Sequence, residues 1–380
     1  MNTMFELSDT QSLLRDSLAR WLGTTAPFDR REALLRTPEA IAPLWQGLAS
    51  ELGLLGAALP EAVGGLGGGL ADHMLIMQSL GEALLPEPYL ACLVLGAGLL
   101  QRLPGELPRQ LLGGVVDGAV RPVLATIEPE ARHDLAQVRS TLRSQAGATV
   151  LSGRKAMVRA APYATHWLVS ARDGAGVLRL ALVKPDAPGI SRRDLRLADG
   201  GWAAELGFDS TPVETLLGES GTDLLPLIAK VSDEALLATG AESIGVMQRL
   251  LRDTLDYVRQ RHQFKVAIAS FQVIQHRLAD LLMALLQANA LVGATLAQID
   301  GPAAQRQQAV ASAQVAVARA CRSVGQGAVQ LHGGMGMTDE LVVGHLFKRL
   351  TLIEAQGGGA DAFLRRVADL RAVNAAVSGQ

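Results

Sequence analysis

The hydrophobic period of the chain changes twice along its length, and this limits the folds open to it more than any other feature. From Ser8 to Leu22 the residues Leu13, Leu14, Leu18, Trp21 and Leu22 recur at helical spacing, with Ser8 or Asp9 placed to cap free backbone N–H groups. Further helical runs cover Ile41–Leu55, Asp72–Leu85 and Ala91–Leu103, punctuated by the glycines of 64–69 and by Pro86-Glu87-Pro88. After Arg121-Pro122 the runs become short and β-branched or alternating: Val123–Thr126, Thr149–Leu151, His166–Ala171 and Gly176–Val183. Leu178, Leu180 and Leu182 share one parity, the mark of a half-buried strand. Beyond Pro226 the helical period returns, with Ile244, Met247, Leu251, Leu255 and Val258 on one stripe. Arg249–Asp253 and Arg252–Asp256 are spaced to form i,i+4 pairs on its opposite side. Long Ala- and Leu-rich runs follow at Val273–Ile299, Ala304–Leu331 and Val343–Ile353. The expected class is α+β: an N-terminal all-α domain (1–120), a middle antiparallel β domain (121–225) and a C-terminal helical bundle domain (226–380).

Composition removes several function classes. Hydrophobic residues make up 49% and charged residues 19%, so a chain of 380 residues has ample material for a core. A net charge of −2 gives no overall drive toward nucleic acid or an anionic membrane, and neither is expected as a partner. Only 4% of residues are aromatic, so a flat ligand would have to rely on backbone and aliphatic contacts. Cys92 and Cys321 stand in no metal-ligand spacing, so no metal site is expected. The opening Met1–Glu6 lacks a basic region followed by an apolar one, and the longest strongly apolar stretch, Ala91–Leu100, is expected to be too short to span a bilayer. A cytoplasmic protein is expected. The glycines of 64–69 follow a helix and Leu59-Pro60 rather than a strand, against a dinucleotide fingerprint, and no GxSxG occurs.

Two C-terminal segments carry more. Arg261-His262-Gln263-Phe264 ends the long amphipathic run and leads into Phe271-Gln272, and Gln330-Leu331-His332-Gly333-Gly334 sits where a helix should stop. Taken in this order with Leu52–Gly56, Pro60–Gly67, Leu151–Lys155 and Leu278-Ala279-Asp280, they make the chain resemble the acyl-CoA dehydrogenase family from end to end. The run Gly336–Glu340 with Gly344–Thr351 is most similar to the small-subunit type of pimeloyl-CoA dehydrogenase. The resemblance implies the acyl-CoA dehydrogenase fold with a C-terminal four-helix bundle, FAD as cofactor and an acyl-CoA as substrate. It also implies an electron-transfer acceptor protein and FAD clamped between subunits. Arg261 would bind the pyrophosphate of a neighbouring subunit's FAD, as guanidinium matches phosphate bidentately. Phe264, Ile268, Phe271 and Gln272 would line its adenosine part, and Gln330, Gly333 and Gly334 would let backbone approach the ADP half. The competing reading pairs Arg261 with Asp256 or Asp280.

The family reaction removes an α-proton with a carboxylate while the β-hydrogen leaves as hydride to flavin N5. The usual position of that glutamate falls on Gly357 and the alternative position on Ala235, so neither base is present. Glu242, on the same helix face as Ala235, is the preferred candidate; Glu354 and Glu234 are the other acids nearby. The β domain departs as well. Glu130, Arg132 and His133 stand where the family has Gly, Gly and Ser, and Met157-Val158-Arg159 stands where an aromatic and a hydroxyl pack on the flavin ring. Three arrangements follow: a catalytic subunit paired with a homologous large subunit in a heterotetramer, a non-catalytic scaffolding or regulatory homologue that completes a partner's FAD site, or a self-sufficient homodimer or homotetramer using Glu242.

Overall fold

The computed structural model describes residues 4–378 apart from 86, 87, 132 and 146; Met1–Thr3, Pro86, Glu87 and Arg132, used in the sequence reading, lie outside the described residues. Its elements run helical, sheet, helical. The first stretch holds α1 (Asp9–Thr25), α2 (Arg31–Leu35), α3 (Ala42–Ser50) and α4 (Leu70–Ala83). A π-helical turn, Leu90–Ala97, then runs into α5 (Gly98–Leu100), followed by α6 (Glu106–Val116). Ser8 caps α1 as expected, through a capping box in which the Gln11 backbone N–H donates to Ser8 Oγ and the Ser8 N–H donates to Gln11 Oε1, each at 3.2 Å.

The middle stretch supplies β1 (Pro122–Ala125), β2 (Thr141–Gln145), β3 (Ala148–Arg159), β4 (His166–Arg172), β5 (Leu178–Val183), β6 (Ile190–Arg196), β7 (Trp202–Pro212) and β8 (Thr215–Leu217). Together they form an eight-stranded sheet in the order β6-β7-β3-β2-β4-β5-β8, with β1 pairing β4. Most pairings are antiparallel, but β1 runs parallel to β4 and so does β2, so the sheet is mixed rather than purely antiparallel. β5 is buried at every position, not on one face as its parity implied. Alternation shows only that one face is covered; here both are.

The last stretch contains α7 (Leu225–Gln260), a small hairpin of β9 (His262–Gln263) and β10 (Val266–Ala267), then α8 (Gln272–Leu296), α9 (Ala303–His332), α10 (Val342–Ala355) and α11 (Gly359–Ser378). α9 packs against α8, α10 and α11. α8 is long and apolar enough by composition to cross a bilayer, with mean hydropathy 1.5 and one third (33%) of that window buried, so Ala91–Leu100 is not the longest such stretch.

By packing, the chain gathers into two compact units. One gathers residues 1–31, Met74–Leu85 and Leu236 onward; the other holds Glu32–His73 and Pro86–Ala235. The boundaries expected near 120 and 225 follow the change from helices to sheet and back, while packing places most of α4 with the C-terminal helices and divides α7 between the two units. In the first unit α4 crosses α7 at a notch of small residues: a Cβ on Gly245 would lie 1.9 Å from the Gln78 carbonyl oxygen, and one on Gly81 would lie 2.3 Å from that of Glu242. Only glycine permits this approach. Beside it Gln78 donates to Gln248 at 2.9 Å and Arg252 pairs with Glu82 at 2.7 Å, while Arg249 pairs with Asp253 at 2.7 Å. The Arg252–Asp256 pair is thus replaced by a partner on another helix.

Candidate cofactor half-site and acid cluster

Arg261 follows α7 directly. Its backbone is held from both sides: its N–H donates to the Tyr257 carbonyl at 2.8 Å and its carbonyl accepts from Ile268 N–H at 2.8 Å. Between them β9 and β10 form a two-residue hairpin whose turn residues, Phe264 and Lys265, sit at φ 51° and 68°. Such left-handed conformations cost non-glycine residues about 1–3 kcal/mol each and persist where surrounding structure holds them. The turn displays Phe264 at 86% exposure, edge-on to Phe271 with ring centroids 6.2 Å apart. Arg261 and Gln272 are exposed and Ile268 is half-buried. Arg261 forms no ion pair with a described residue, so the Asp256 or Asp280 alternative is not what the structure contains.

The second motif ends α9. Gly333, at φ 61°, leaves the helix, and its N–H donates to the Gln330 carbonyl. A Cβ on Gly333 or Gly334 would meet nothing within 4 Å, and Gln330 is exposed. Sequence reasoning missed the link between the two motifs. Tyr257, one turn before Arg261, stacks on His332 with centroids 4.3 Å apart and planes at 25°, and its hydroxyl donates to the His332 carbonyl at 3.2 Å. His332 is buried, with Nδ1 2.9 Å from the Ala328 carbonyl oxygen. This clasp ties the end of α7 to the end of α9; the only signal for it was a Tyr and a His each one turn or less from a motif residue. An exposed cation, a presented aromatic pair and bare glycine backbone fit the diphosphate and adenosine of a dinucleotide cofactor.

The acids behave differently. Glu242, 4% exposed, is held by Arg349 of α10 through Nε–Oε1 at 2.5 Å and Nη2–Oε2 at 2.7 Å. Both carboxylate oxygens are engaged in a buried fork, so taking a proton from a substrate would require breaking it. The structure therefore argues against Glu242 as the base. Glu354 accepts from Arg322 Nε at 2.7 Å, and Glu234 is bound by Arg102 at 2.8 Å and Lys230 at 3.3 Å. Close to Glu242 and Glu354, burial pushes the Cys321 thiol up to about 12, a Ser243 hydrogen bond opposing and the two carboxylates adding to the rise. The missing family base has a steric counterpart. Gly357 sits at φ 65° in the break between α10 and α11, and a Cβ there would lie 2.5 Å from Phe363 Cζ.

In the other unit, Met157 sits at φ 49° in a register shift between Lys155 and Val158, 50% exposed, where the family places an aromatic wall. Glu130 makes a surface pair with Arg154 at 3.4 Å. Glu128 is buried and accepts from Lys155 Nζ and Ser140 Oγ at 2.7 Å each, and from the Arg139 and Ser140 N–H groups at 2.7 and 3.0 Å. Burial alone would raise the Glu128 carboxyl, but the Lys155 ammonium and the Ser140 bonds outweigh it and hold it below its ordinary 4.5. Burial draws Lys155 down to about 8 against the pull of Glu128. These groups are used up in the fold.

A helical–sheet–helical chain with exposed residues suited to a dinucleotide points to a class of cofactor-binding proteins. Models of the acyl-CoA dehydrogenase N-terminal, middle and C-terminal domains match residues 8–102, 124–211 and 231–370. The chain belongs to the acyl-CoA dehydrogenase family, whose members are flavoprotein oxidoreductases acting on acyl-CoA. It is 30% identical to acyl-CoA dehydrogenase FadE27 of Mycobacterium tuberculosis over 85% of this chain and 86% of that one. It is 29% identical to benzylmalonyl-CoA dehydrogenase of Aromatoleum aromaticum over 96% and 98%. Among solved structures it is similar to a variant of the steroid ACAD Tcur3481-Tcur3483, with TM-score 0.87 and 30% identity over 97% of this chain and 99% of that one. It is also similar to the ChsE4-ChsE5 complex of Mycobacterium tuberculosis, with TM-score 0.86 and 26% identity over 98% and 99%.

Proposed function

We propose that the chain is one subunit of an FAD-dependent acyl-CoA dehydrogenase and works by completing a cofactor site on a homologous larger subunit, in a cytoplasmic heterotetramer that passes electrons to an acceptor protein. The observation that carries this is the contrast between an exposed, unpaired Arg261 and three acids near the family base positions that are all ion-paired. FAD, when bound, supplies the acceptor for the β-hydride as the α-proton leaves an acyl-CoA. Arg261 neutralises the pyrophosphate, Phe264 and Phe271 cover the adenosine from water, and Gly333 and Gly334 admit the ADP half against backbone. The Tyr257–His332 clasp keeps these parts in register. The carboxylate that takes the α-proton comes from the partner. The two-part names of the Tcur3481-Tcur3483 and ChsE4-ChsE5 relatives support pairing of unlike chains.

The test is to purify the chain alone and with its co-expressed homologue, then compare flavin absorbance and acyl-CoA-dependent dye reduction. The expected result is flavin and turnover only in the pair. Tight FAD with turnover in the lone chain would establish the self-sufficient reading instead; flavin without turnover in every combination would establish the scaffolding one.

A further inference from the structure

The loop that follows the two motif glycines is pinned by the first turns of α10. From Gly333 the chain makes the turn Gly333–Met337 and reaches α10 through Asp339 and Glu340. Gly336 fits against the end of α9, where a Cβ would lie 2.9 Å from the Val329 carbonyl oxygen and 3.0 Å from His332 Cβ. Lys348 Nζ donates to Asp339 Oδ1 at 3.0 Å, and His345 Nε2 lies 3.0 Å from the Asp339 carbonyl oxygen. The other ring nitrogen of His345, Nδ1, lies 3.3 Å from Arg31 Nη1. Arg31 is buried and also donates through Nε to the Leu84 carbonyl at 3.3 Å. Leu84, just past α4, sits at φ 55°. Phe28 stands edge-on to the imidazole with ring centroids 5.2 Å apart. One ring thus joins α10 and the loop to Phe28, to Arg31 and, through Arg31, to the end of α4.

These partners decide the form of the ring. A guanidinium has only donors, so Nδ1 must accept; a carbonyl oxygen has only lone pairs, so Nε2 must carry the hydrogen and donate it. Both bonds exist together only for the neutral imidazole. A proton added at Nδ1 would face a permanent cation with nothing to receive it. The charged groups facing the ring are Arg31 on one side and, on the other, the Asp339 carboxylate with Lys348. The Lys348 ammonium holds the Asp339 carboxyl below its ordinary range, with His345 a lesser contributor, so that carboxylate is already paired and does not offset Arg31. We propose that neutral His345 is a positioning residue for the Gly333–Asp339 segment and that acid releases this segment by breaking the bond from Arg31. His345 acts through the Asp339 carbonyl, fixing the path by which the chain leaves the two glycines. The consequence for flavin rests on the half-site reading above; the consequence for the segment does not.

Hydrogen exchange on the full-length chain, followed by mass spectrometry and corrected for the intrinsic pH dependence of exchange, reads the segment without any cofactor. Protection across 333–341 should fall by about tenfold or more between about pH 8 and about pH 5, the interval in which imidazoles change charge and the scale of a hydrogen bond to a charged group. His345→Gln offers one acceptor and one donor and takes up no proton there, so its protection should hold at both ends. His345→Leu should be loose at both, with unchanged circular dichroism. In the enzyme assembled with its homologue, FAD dissociation should follow the same pattern: faster in acid for wild type, level for His345→Gln and fast throughout for His345→Leu. Wild-type protection that ignores pH would overturn the proposal. So would an acid loss in His345→Gln as large as in wild type, or a His345→Leu chain as protected as wild type. If exchange follows the expected pattern while FAD dissociation does not, His345 keeps its place and the half-site reading fails.

Discussion

Two parts of the helical unit handle charge in opposite ways. At the end of α7 a cation is left exposed without an ion partner, beside bare glycine backbone and a strained turn that holds an aromatic ring in solvent. Along α7 and α10, by contrast, Glu242 and Arg349 satisfy one another completely inside the bundle. The first arrangement leaves a hydrated cation able to exchange water for a ligand; in the second both carboxylate oxygens are already engaged. Ligand-directed residues can thus be told from structural ones by what remains unsatisfied rather than by residue type.

The sharpest way to break this comparison is to remove one half of the buried pair. Arg349→Ala strands the Glu242 carboxylate and is expected to destabilise the helical unit by about 3–5 kcal/mol, read by urea unfolding. Glu242→Gln should also destabilise the chain, and in the assembled enzyme any loss of turnover should follow the loss of folded protein. A fall of several orders of magnitude in kcat at full stability would return Glu242 to the chemistry.

In the β-containing unit, Glu128→Gln should cost about 3 kcal/mol because it leaves the Lys155 ammonium buried beside a neutral partner. The pH dependence has a defined sign. Glu128 is depressed in the fold, so its contribution is present above its ordinary 4.5 and is lost as pH falls through the lower folded value. Thermal melts of wild type and Glu128→Gln should therefore converge in acid.

A smaller effect is expected at the exposed face. Arg261→Ala should weaken flavin retention in the assembled enzyme roughly 10- to 100-fold, the range of a charge-assisted hydrogen bond, and leave the melting temperature of the isolated chain unchanged. Equal flavin content in salt-washed variant and wild type would remove Arg261 from the cofactor site. Smallest is Phe264→Gly, which relieves a left-handed backbone and should stabilise the isolated chain by at most about 1 kcal/mol while lowering flavin retention. A loss of stability would mean that the ring is held for folding instead.

Local features were legible in the sequence and distant partners were not. The Ser8 cap and the Arg249–Asp253 pair depend on residues within one turn, and both occur as read. Arg252 was assigned to Asp256 but finds Glu82, because a helix crossing at Gly81 and Gly245 brings a competing carboxylate that no i,i+4 count can see. Glu242 looked like an acid in search of a role, and its partner lies 107 residues further on. β5 read as half-buried because parity records one face at a time. The family resemblance points to Arg261, Phe264, Gln330, Gly333 and Gly334, but not to the Tyr257–His332 clasp that connects the two motifs, since its geometry arises only when α7 and α9 pack.

The tight fit of Gly357 against Phe363 decides what a side chain at 357 would require. A side chain at 357 would bring its Cβ to 2.5 Å from the tip of the Phe363 ring on a left-handed backbone, so a glutamate there is strained and needs the ring to shift. Space for a carboxylate at this position therefore depends on a residue six places further along, in the first turns of α11.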